Sequence, residues 1–212
     1  MTIVERVWSP RGEVVLRRAG DHLEIISNGT FLMDTRDGRS ERLLVDAGIA
    51  ACVASAPRVL IGGLGVGFSL AAAVAHERMA AIDVVEVEPT IVGWHATHLR
   101  HISAGALADP RVRLVTADLT DFLADAPQPY DLLCLDIDNG PDWTVVDANA
   151  AMYGDTGLAL ARRNLRPHGV LTVWSARRIP DFEVRLGDHF GEVRAHEVPV
   201  ERGEPDVVYV AR

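Results

Sequence analysis

The sequence predicts an α/β fold: a doubly wound, mostly parallel seven-stranded sheet with a small N-terminal β-hairpin region. Three observations predict it. From Pro57 onward, short runs rich in Val, Ile and Leu alternate with segments of helical spacing, and strands that are apolar on both faces need helices on both sides. A glycine-rich turn, "IGGLGVG", joins the first of these strands to the segment after it, where such folds bring backbone close to whatever they bind. Before residue 40 the pattern differs, with alternating runs placed around an Asn-Gly pair.

In chain order, "EVVLRR" (13–18) reads as a strand, and "HLEIISNGTFLMDT" places Asn28-Gly29 at a hairpin turn, because that pair tolerates the positive φ angles of a type I′ turn. Residues 1–39 are therefore expected to form a small antiparallel region, and 40–212 the α/β domain. Ser40 is placed to cap a helix whose apolar residues Leu43, Leu44, Ala47 and Ala51 recur at helical spacing. Strands follow at 58–62, 82–87, 111–115, 130–136, 169–174, 192–198 and 206–211, with helices near 67–78, 89–101, 119–124, 155–165 and 180–188. The last two strands are joined by "ERGEPD" with no helix between them, which implies an antiparallel hairpin closing the sheet. The stretch 136–155, rich in Asp, Asn, Gly and Pro, reads as a functional or mobile loop.

Bulk properties narrow the function classes. A chain of 212 residues suits one domain with a full core. Its formal net charge of −9, without a Lys/Arg run, disfavours an electrostatic grip on nucleic acid or an anionic membrane and leaves a small-molecule partner as the expectation. The longest apolar stretches are too short or interrupted to span a bilayer, and "MTIVERVW" is not a basic-then-apolar leader, so a cytoplasmic location is expected. Cys52 and Cys134, far apart and without metal-type spacing, agree with a reducing compartment and read as core packing.

The chemistry-bearing residues lie at strand ends. Gly63, Gly65 and Gly67 stand at GxGxG spacing between a strand and a helix, so the turn can be sharp and approach a ligand closely. Nineteen residues past Gly67, Glu86 ends the next strand, where a carboxylate can accept from both hydroxyls of a ribose. The plainer alternative is a structural glycine turn. Glu88 is the rival acid, and Pro89 after it marks a helix start. Asp118 follows the third strand; it either accepts from an adenine amino group or caps the helix beginning at Leu119. Asp136 ends a strongly apolar strand, with Asp138, Asn139, Asp142 and Trp143 in the loop beyond. Acids so placed can orient an amine or take its proton, although Asp, Asn, Gly and Pro are also ordinary turn residues. His95, His98 and His101 recur every three residues and are read as one helix face rather than a metal site, since no carboxylate or cysteine accompanies them at ligand spacing.

The order of these motifs resembles the spermidine synthase family within the class I S-adenosylmethionine-dependent transferases. The resemblance is carried by "PRVLIGGLGVG", "VVEVEPTIV", "DPRVRLVTADLTDFL", "YDLLCLDIDNGP" and "LALARRNLRPHGVLTVW", together with the N-terminal "NGTFLMDTRDGRSERLL". It implies a Rossmann-like methyltransferase sheet that takes S-adenosylmethionine or decarboxylated S-adenosylmethionine, with no metal. Glu86 would hold the ribose, Asp118 with Leu119 the adenine, and Gly63, Gly65 and Gly67 would lie beneath the sulfonium-bearing tail. Asp136 would position and deprotonate an attacking amine; Asp138 is a second catalytic candidate from the loop residues alone. A small-molecule acceptor and a homodimer built through the β region are also implied. Three positions depart from that family's pattern: Gly65 stands where it keeps an aspartate for the donor's amino group, Asn139 where it keeps a second loop acid, and "RSERLL" where it keeps a tyrosine and a glutamine. Methyl and aminopropyl transfer therefore both stay open. A non-catalytic nucleoside-binding protein is the second expectation, and a nicotinamide-dependent oxidoreductase the third, since "TADL" and "YDLLCLD" suit the transferases better.

Overall fold

A computed structural model of the chain describes residues 1–126, 128–145 and 147–212. The N-terminal strands β1 (Thr2–Ser9), β2 (Gly12–Ala19), β3 (His22–Ser27) and β4 (Thr30–Asp34) form one antiparallel sheet in sequence order. Asn28 and Gly29 make the β3–β4 turn with φ of 50° and 80°, as a type I′ turn requires. The Asn28 side chain also secures the β1–β2 turn, accepting from the Glu13 N–H at 3.0 Å and donating to the Arg11 carbonyl at 3.1 Å. Strand β1 adds to the predicted β structure. Its alternation is masked in the sequence by a register shift between Ile3 and Glu5, which leaves Ile3 half exposed.

Helix α1 (Arg39–Ala51) follows. Its N-cap is Gly38 and not the predicted Ser40, which lies inside the first turn and bonds through its hydroxyl to the carboxyl groups of Glu41 and Asp206. Next come β5 (Arg58–Gly62), α2 (Phe68–Ala75), β6 (Ala81–Glu86), α3 (Pro89–Trp94), β7 (Val112–Thr116), α4 (Leu119–Ala124) and β8 (Tyr130–Leu135). After them the chain runs through α5 (Asp147–Tyr153), α6 (Asp155–Arg163), β9 (Leu165–Ser175), α7 (Pro180–Phe190), β10 (Val193–Val198) and β11 (Asp206–Ala211). The large sheet has seven strands in the order β10-β11-β9-β8-β5-β6-β7. Strands β9, β8, β5, β6 and β7 are parallel, while β11 enters antiparallel between β9 and β10. The doubly wound, mostly parallel expectation and the closing hairpin are both present.

Two helix expectations need correction. Helix α3 stops at Trp94 and the chain continues in turns, so His95, His98 and His101 do not share a helix face. The stretch 136–155, read as irregular, contains α5, a short helix whose pattern is hidden among turn-forming residues.

Alternation along the central strands feeds two cores. Leu60, Leu133, Leu171 and Tyr209 pack with α4 to α7 through Leu123, Tyr153, Leu158 and Phe182, and Val59, Ile61, Leu132 and Cys134 pack with α1 and α2 through Leu44, Ile49 and Leu70. Both cysteines are free and buried, as read from the sequence, and burial pushes the Cys134 thiol up to about 12. The apolar face of the N-terminal sheet (Val14, Leu16, Leu23, Ile25) is buried against Val66, Phe68, Ile91 and Trp94, the residues around the glycine turn. The small sheet is thus pressed onto the strand-end edge of the large one. Among the described residues no helix is long and apolar enough to cross a membrane.

At the opposite end of the sheet, Asp83 of β6 is 3% exposed and accepts from Arg58 at 2.7 Å, Arg113 at 2.7 Å and the Tyr130 hydroxyl at 2.8 Å. Burial alone would raise its carboxyl, but the hydrogen bonds from Arg113, Tyr130 and Arg58 outweigh it and hold the group below the usual range. Removing one member strands the others. Asp83→Ala is expected to cost about 3 kcal/mol or more of unfolding free energy, measured by urea denaturation with an unchanged slope; a loss below about 1 kcal/mol would show that the network is not a structural anchor.

Candidate active site

Chain direction diverges at β5: β6 and β7 are added on one side, β8 and β9 on the other. Open α/β sheets bind ligands at the carboxyl ends of strands beside such a switch. Backbone hydrogen bonds bring those ends to one level, from Gly63 N–H to the Val85 carbonyl at 2.8 Å and from Asp136 N–H to the Gly62 carbonyl at 2.8 Å. The closure is tight. Gly63 has φ of +94°, and a Cβ on it would lie 2.0 Å from the Asp136 carbonyl oxygen, so no side chain fits there. Gly65, with φ of +49°, is bare for a different reason: a Cβ there would lie 2.2 Å from Met33 Sδ, which also accepts from the Val66 N–H at 3.2 Å. Gly67 is the left-handed N-cap of α2.

Glu86 is buried at the end of β6 and fastens the turn, accepting from the Leu64 N–H at 2.9 Å and the Glu88 N–H at 2.8 Å. Burial raises its carboxyl above the ordinary value, partly offset by those backbone donors. Glu88 caps α3, accepting from the Thr90 N–H at 3.1 Å, in agreement with the helix-start reading. Beneath the turn lies His95, which sequence reasoning placed on a helix face. Its ring is buried, which lowers its pKa. The neutral ring has one N–H: Nε2–H donates to the Gly65 carbonyl at 2.9 Å, and Nδ1 faces the Ser103 hydroxyl at 3.3 Å.

Asp118 caps α4 through Oδ1, which accepts from the Thr120 N–H at 2.9 Å, while Oδ2 accepts from Arg11 Nη2 at 2.6 Å. Leu119 is buried against Gly62, filling the space that a Cβ there would need. Asp136 follows β8, with Oδ2 accepting from the Ser69 hydroxyl of α2 at 2.6 Å. Burial, reinforced by the nearby Glu86 charge, pushes its carboxyl up to about 6. Glu41 of α1 is raised to about 8 by burial and by the Asp136 charge. Asp138, at φ of 61°, holds the following loop by accepting from the Val145 N–H at 2.6 Å and Asn149 Nδ2 at 2.8 Å. Asn139 is 4% exposed and donates Nδ2–H to the Phe31 carbonyl at 3.1 Å. A carboxylate there would set two acceptors against each other.

Gly63, Gly65, Glu86, Asp118, Leu119, Asp136 and Asp138 all line one cleft of about 1710 Å³; Gly67 lies behind it. Arg11, Met33 and Glu41 line it as well. No spacing in the sequence announces these three, because they reach the cleft from the small sheet and the first turn of α1.

A sequence profile described as "Spermine/spermidine synthase domain" matches residues 42–178. The polyamine aminopropyltransferase of Mycobacterium tuberculosis is 30% identical over 165 residues, covering 76% of this chain and 30% of that protein. Polyamine aminopropyltransferase 1 of Streptomyces coelicolor is 34% identical over 119 residues, covering 55% of this chain and 22% of that protein. The chain thus spans under a third of the length of these relatives. A crystal structure of spermidine synthase with the transition-state analogue AdoDATO superposes with a TM-score of 0.84 at 16% identity, covering 99% of this chain and 73% of that one. The spermidine synthase of Thermotoga maritima superposes at 0.79 and 15% identity, covering 99% and 72%. These likenesses establish the fold.

The raised carboxyls have a linkage consequence. The folded protein holds protons on Glu41 that the unfolded chain, with glutamates near 4, has released, so stability falls as pH rises through the folded value. His95 acts with the opposite sign, but only below the ordinary histidine value near 6.5. Between pH 7 and 8.5 the thermal midpoint of the ligand-free protein is expected to fall, and in Glu41→Gln to fall measurably less; identical slopes in scanning calorimetry would show that Glu41 is ionised throughout.

Proposed function

The chain belongs to the spermine/spermidine synthase family, and on that premise we propose that it transfers an aminopropyl group from decarboxylated S-adenosylmethionine to a small amine acceptor. The observation that carries the proposal is Asp136: a half-buried carboxyl fixed at a strand end, hydrogen-bonded by Ser69, facing the cleft beside the glycine turn. The donor supplies a sulfonium whose C–S bond breaks as the amine nitrogen forms the new C–N bond, releasing methylthioadenosine. The protein's task is alignment, which for two well-oriented reactants is worth about 7 to 11 kcal/mol, and removal of the ammonium proton. A carboxyl lifted toward neutrality is a better acceptor for that proton than an ordinary aspartate.

The other candidate residues take roles that their positions support. Both Glu86 oxygens accept backbone N–H groups, and the carboxylate's four lone-pair sites leave room for a ribose hydroxyl. Asp118, already bonded to Arg11, faces the base, and Leu119 supplies an apolar wall. Gly63 and Gly65 leave the floor under the tail free of side chains from the turn. Asp138 acts through the loop it organises. A second reading, methyl transfer from S-adenosylmethionine, is favoured by one observation: Met33, an apolar side chain, lies against Gly65 where the donor's amino group would otherwise meet an acid.

Incubation with decarboxylated S-adenosylmethionine and a panel of diamines, followed by mass spectrometry, is expected to yield methylthioadenosine and the aminopropylated amine. S-adenosylhomocysteine formed only from S-adenosylmethionine would establish methyl transfer instead, and nucleoside binding without turnover on either donor would make the protein a non-catalytic binder. Asp136→Asn is expected to lower kcat by roughly 10²- to 10⁴-fold, with nucleoside affinity kept within about twofold; an undiminished rate removes the base role. Glu86→Gln is expected to weaken nucleoside binding by about 1 to 3 kcal/mol, read by calorimetry on a variant whose circular dichroism matches the parent.

A further inference from the structure

Gly65 cannot supply the acid that a cationic substrate tail needs, and Met33 fills the space beside it. Across the cleft stands a different acid. Glu41, in the first turn of α1, is 7% exposed yet lines the cleft, as do Asp136 and Asp206. Among the described residues, none of these three carboxyl groups has an arginine, histidine or N-terminal partner within ion-pair distance, although the chain's other ion pairs are numerous. The contrast is with Asp83, which is buried as Glu41 is and bonded by two arginines, whereas Asp136 and Asp206 are half-buried.

The hydrogen-bond inventory is short in the same place. Ser40 Oγ lies 2.9 Å from Glu41 Oε2 and 2.7 Å from Asp206 Oδ2, and its single hydrogen serves only one of them. Ser69 Oγ lies 2.6 Å from Asp136 Oδ2 and 3.2 Å from the Glu41 carbonyl, again with one hydrogen for two acceptors. Glu41 also has its own backbone N–H as a donor, but it feels the negative charge of both Asp136 and Asp206, and acids so gathered are costly to ionise together unless a proton or a cation reaches them. These acids do not gather as a metal site: no group of three or more His, Cys, Asp or Glu side chains able to hold a metal ion is found among the described residues. An alkylammonium has the complementary chemistry, with one positive charge and three N–H donors.

We propose that Glu41 is the specificity-determining residue that receives a primary alkylammonium of the substrate, taking over on the α1 wall the role that the glycine turn cannot fill. The inference rests on the reading of the cleft as a nucleoside and amine site. Two sources of that ammonium exist, the tail of the donor and the far end of a diamine acceptor, and they share one recognition chemistry. Glu41 reaches it from a helix, with Ser40 orienting one oxygen, so the contact is placed by secondary structure rather than by a loop.

The test compares the parent with Glu41→Gln by calorimetry, using methylthioadenosine, which has no ammonium, decarboxylated S-adenosylmethionine, and 1,4-diaminobutane added with and without methylthioadenosine. Glu41→Gln is expected to keep methylthioadenosine affinity within about twofold, which also shows that the variant is folded. It is expected to weaken at least one of the two cationic ligands by about tenfold or more, as loss of a charged hydrogen bond does. Loss confined to the sulfonium donor assigns the contact to the donor's tail, and loss confined to the diamine assigns it to the acceptor. Equal affinities of parent and variant for both cations overturn the proposal. If the parent binds no nucleoside, the functional reading above is what fails, and the diamine arm alone then decides Glu41: an unchanged or absent affinity sinks it, and a tenfold loss keeps it.

Discussion

The approach of the glycine turn to the end of β8 is the contact on which the rest of this edge depends. Because Gly63 lies against the Asp136 backbone with no room for a Cβ, β5 and β8 end together and at one level. The turn that follows β5 then has nowhere to go except over the adjoining strand end, where Glu86 binds the Leu64 N–H. The carboxyl of Asp136 emerges beside Ser69 on α2, because α2 begins only where that turn finishes. One close backbone contact thus fixes two acids and a helix N-terminus in mutual register. His95 sets the far side of the turn by holding the Gly65 carbonyl.

The two ends of the same sheet handle buried charge in opposite ways. At the amino ends of the strands, Asp83 is enclosed by arginines and a tyrosine hydroxyl and is kept ionised. At the carboxyl ends, Glu41, Asp136 and Asp206 share two serine hydroxyls, and burial raises all three. A fold gains no stability from the second arrangement. On the proposed reading the complement to this excess of acceptors comes from a bound molecule, and carboxyls with displaced protonation are typical of sites that do chemistry.

Much of this was legible in the sequence, for identifiable reasons. Residues 58–62, 82–86 and 130–135 are largely apolar on both faces and could only be central strands, so their carboxyl ends were edge positions and Glu86 and Asp136 could be named, with Asp118 named from its place just beyond the strand at 112–116. Glycines at 63, 65 and 67 announced a turn, since all three adopt positive φ. What escaped was whatever depended on packing across layers. His95 was read by its period, but the helix carrying it ends at Trp94 and the ring turns inward. Ser40 was read as a cap from its type, but Gly38 starts the helix, and the hydroxyl serves two acids, one of them 166 residues away in sequence. Arg11 reaches Asp118 from 107 residues away, a contact that no local pattern encodes.

The division between legible and hidden residues has a functional side. The family profile covers residues 42–178, which contain the glycine turn, Glu86, Asp118 and Asp136: the floor of the cleft and the candidate reacting edge. Arg11, Met33 and Glu41 precede that span, and Glu201, Glu204 and Asp206 follow it, yet all of them line the same cleft. The wall opposite the floor is therefore made by the small sheet, the first turn of α1 and the β10–β11 connection. On the proposed reading, substitutions in that wall change which cation or base is accepted, while its attachment to the floor runs through the packing of the small sheet on Val66, Phe68, Ile91 and Trp94 and through side-chain bonds such as Arg11 to Asp118. Family membership consequently constrains the chemistry of this chain more tightly than it constrains the substrate on which that chemistry is used.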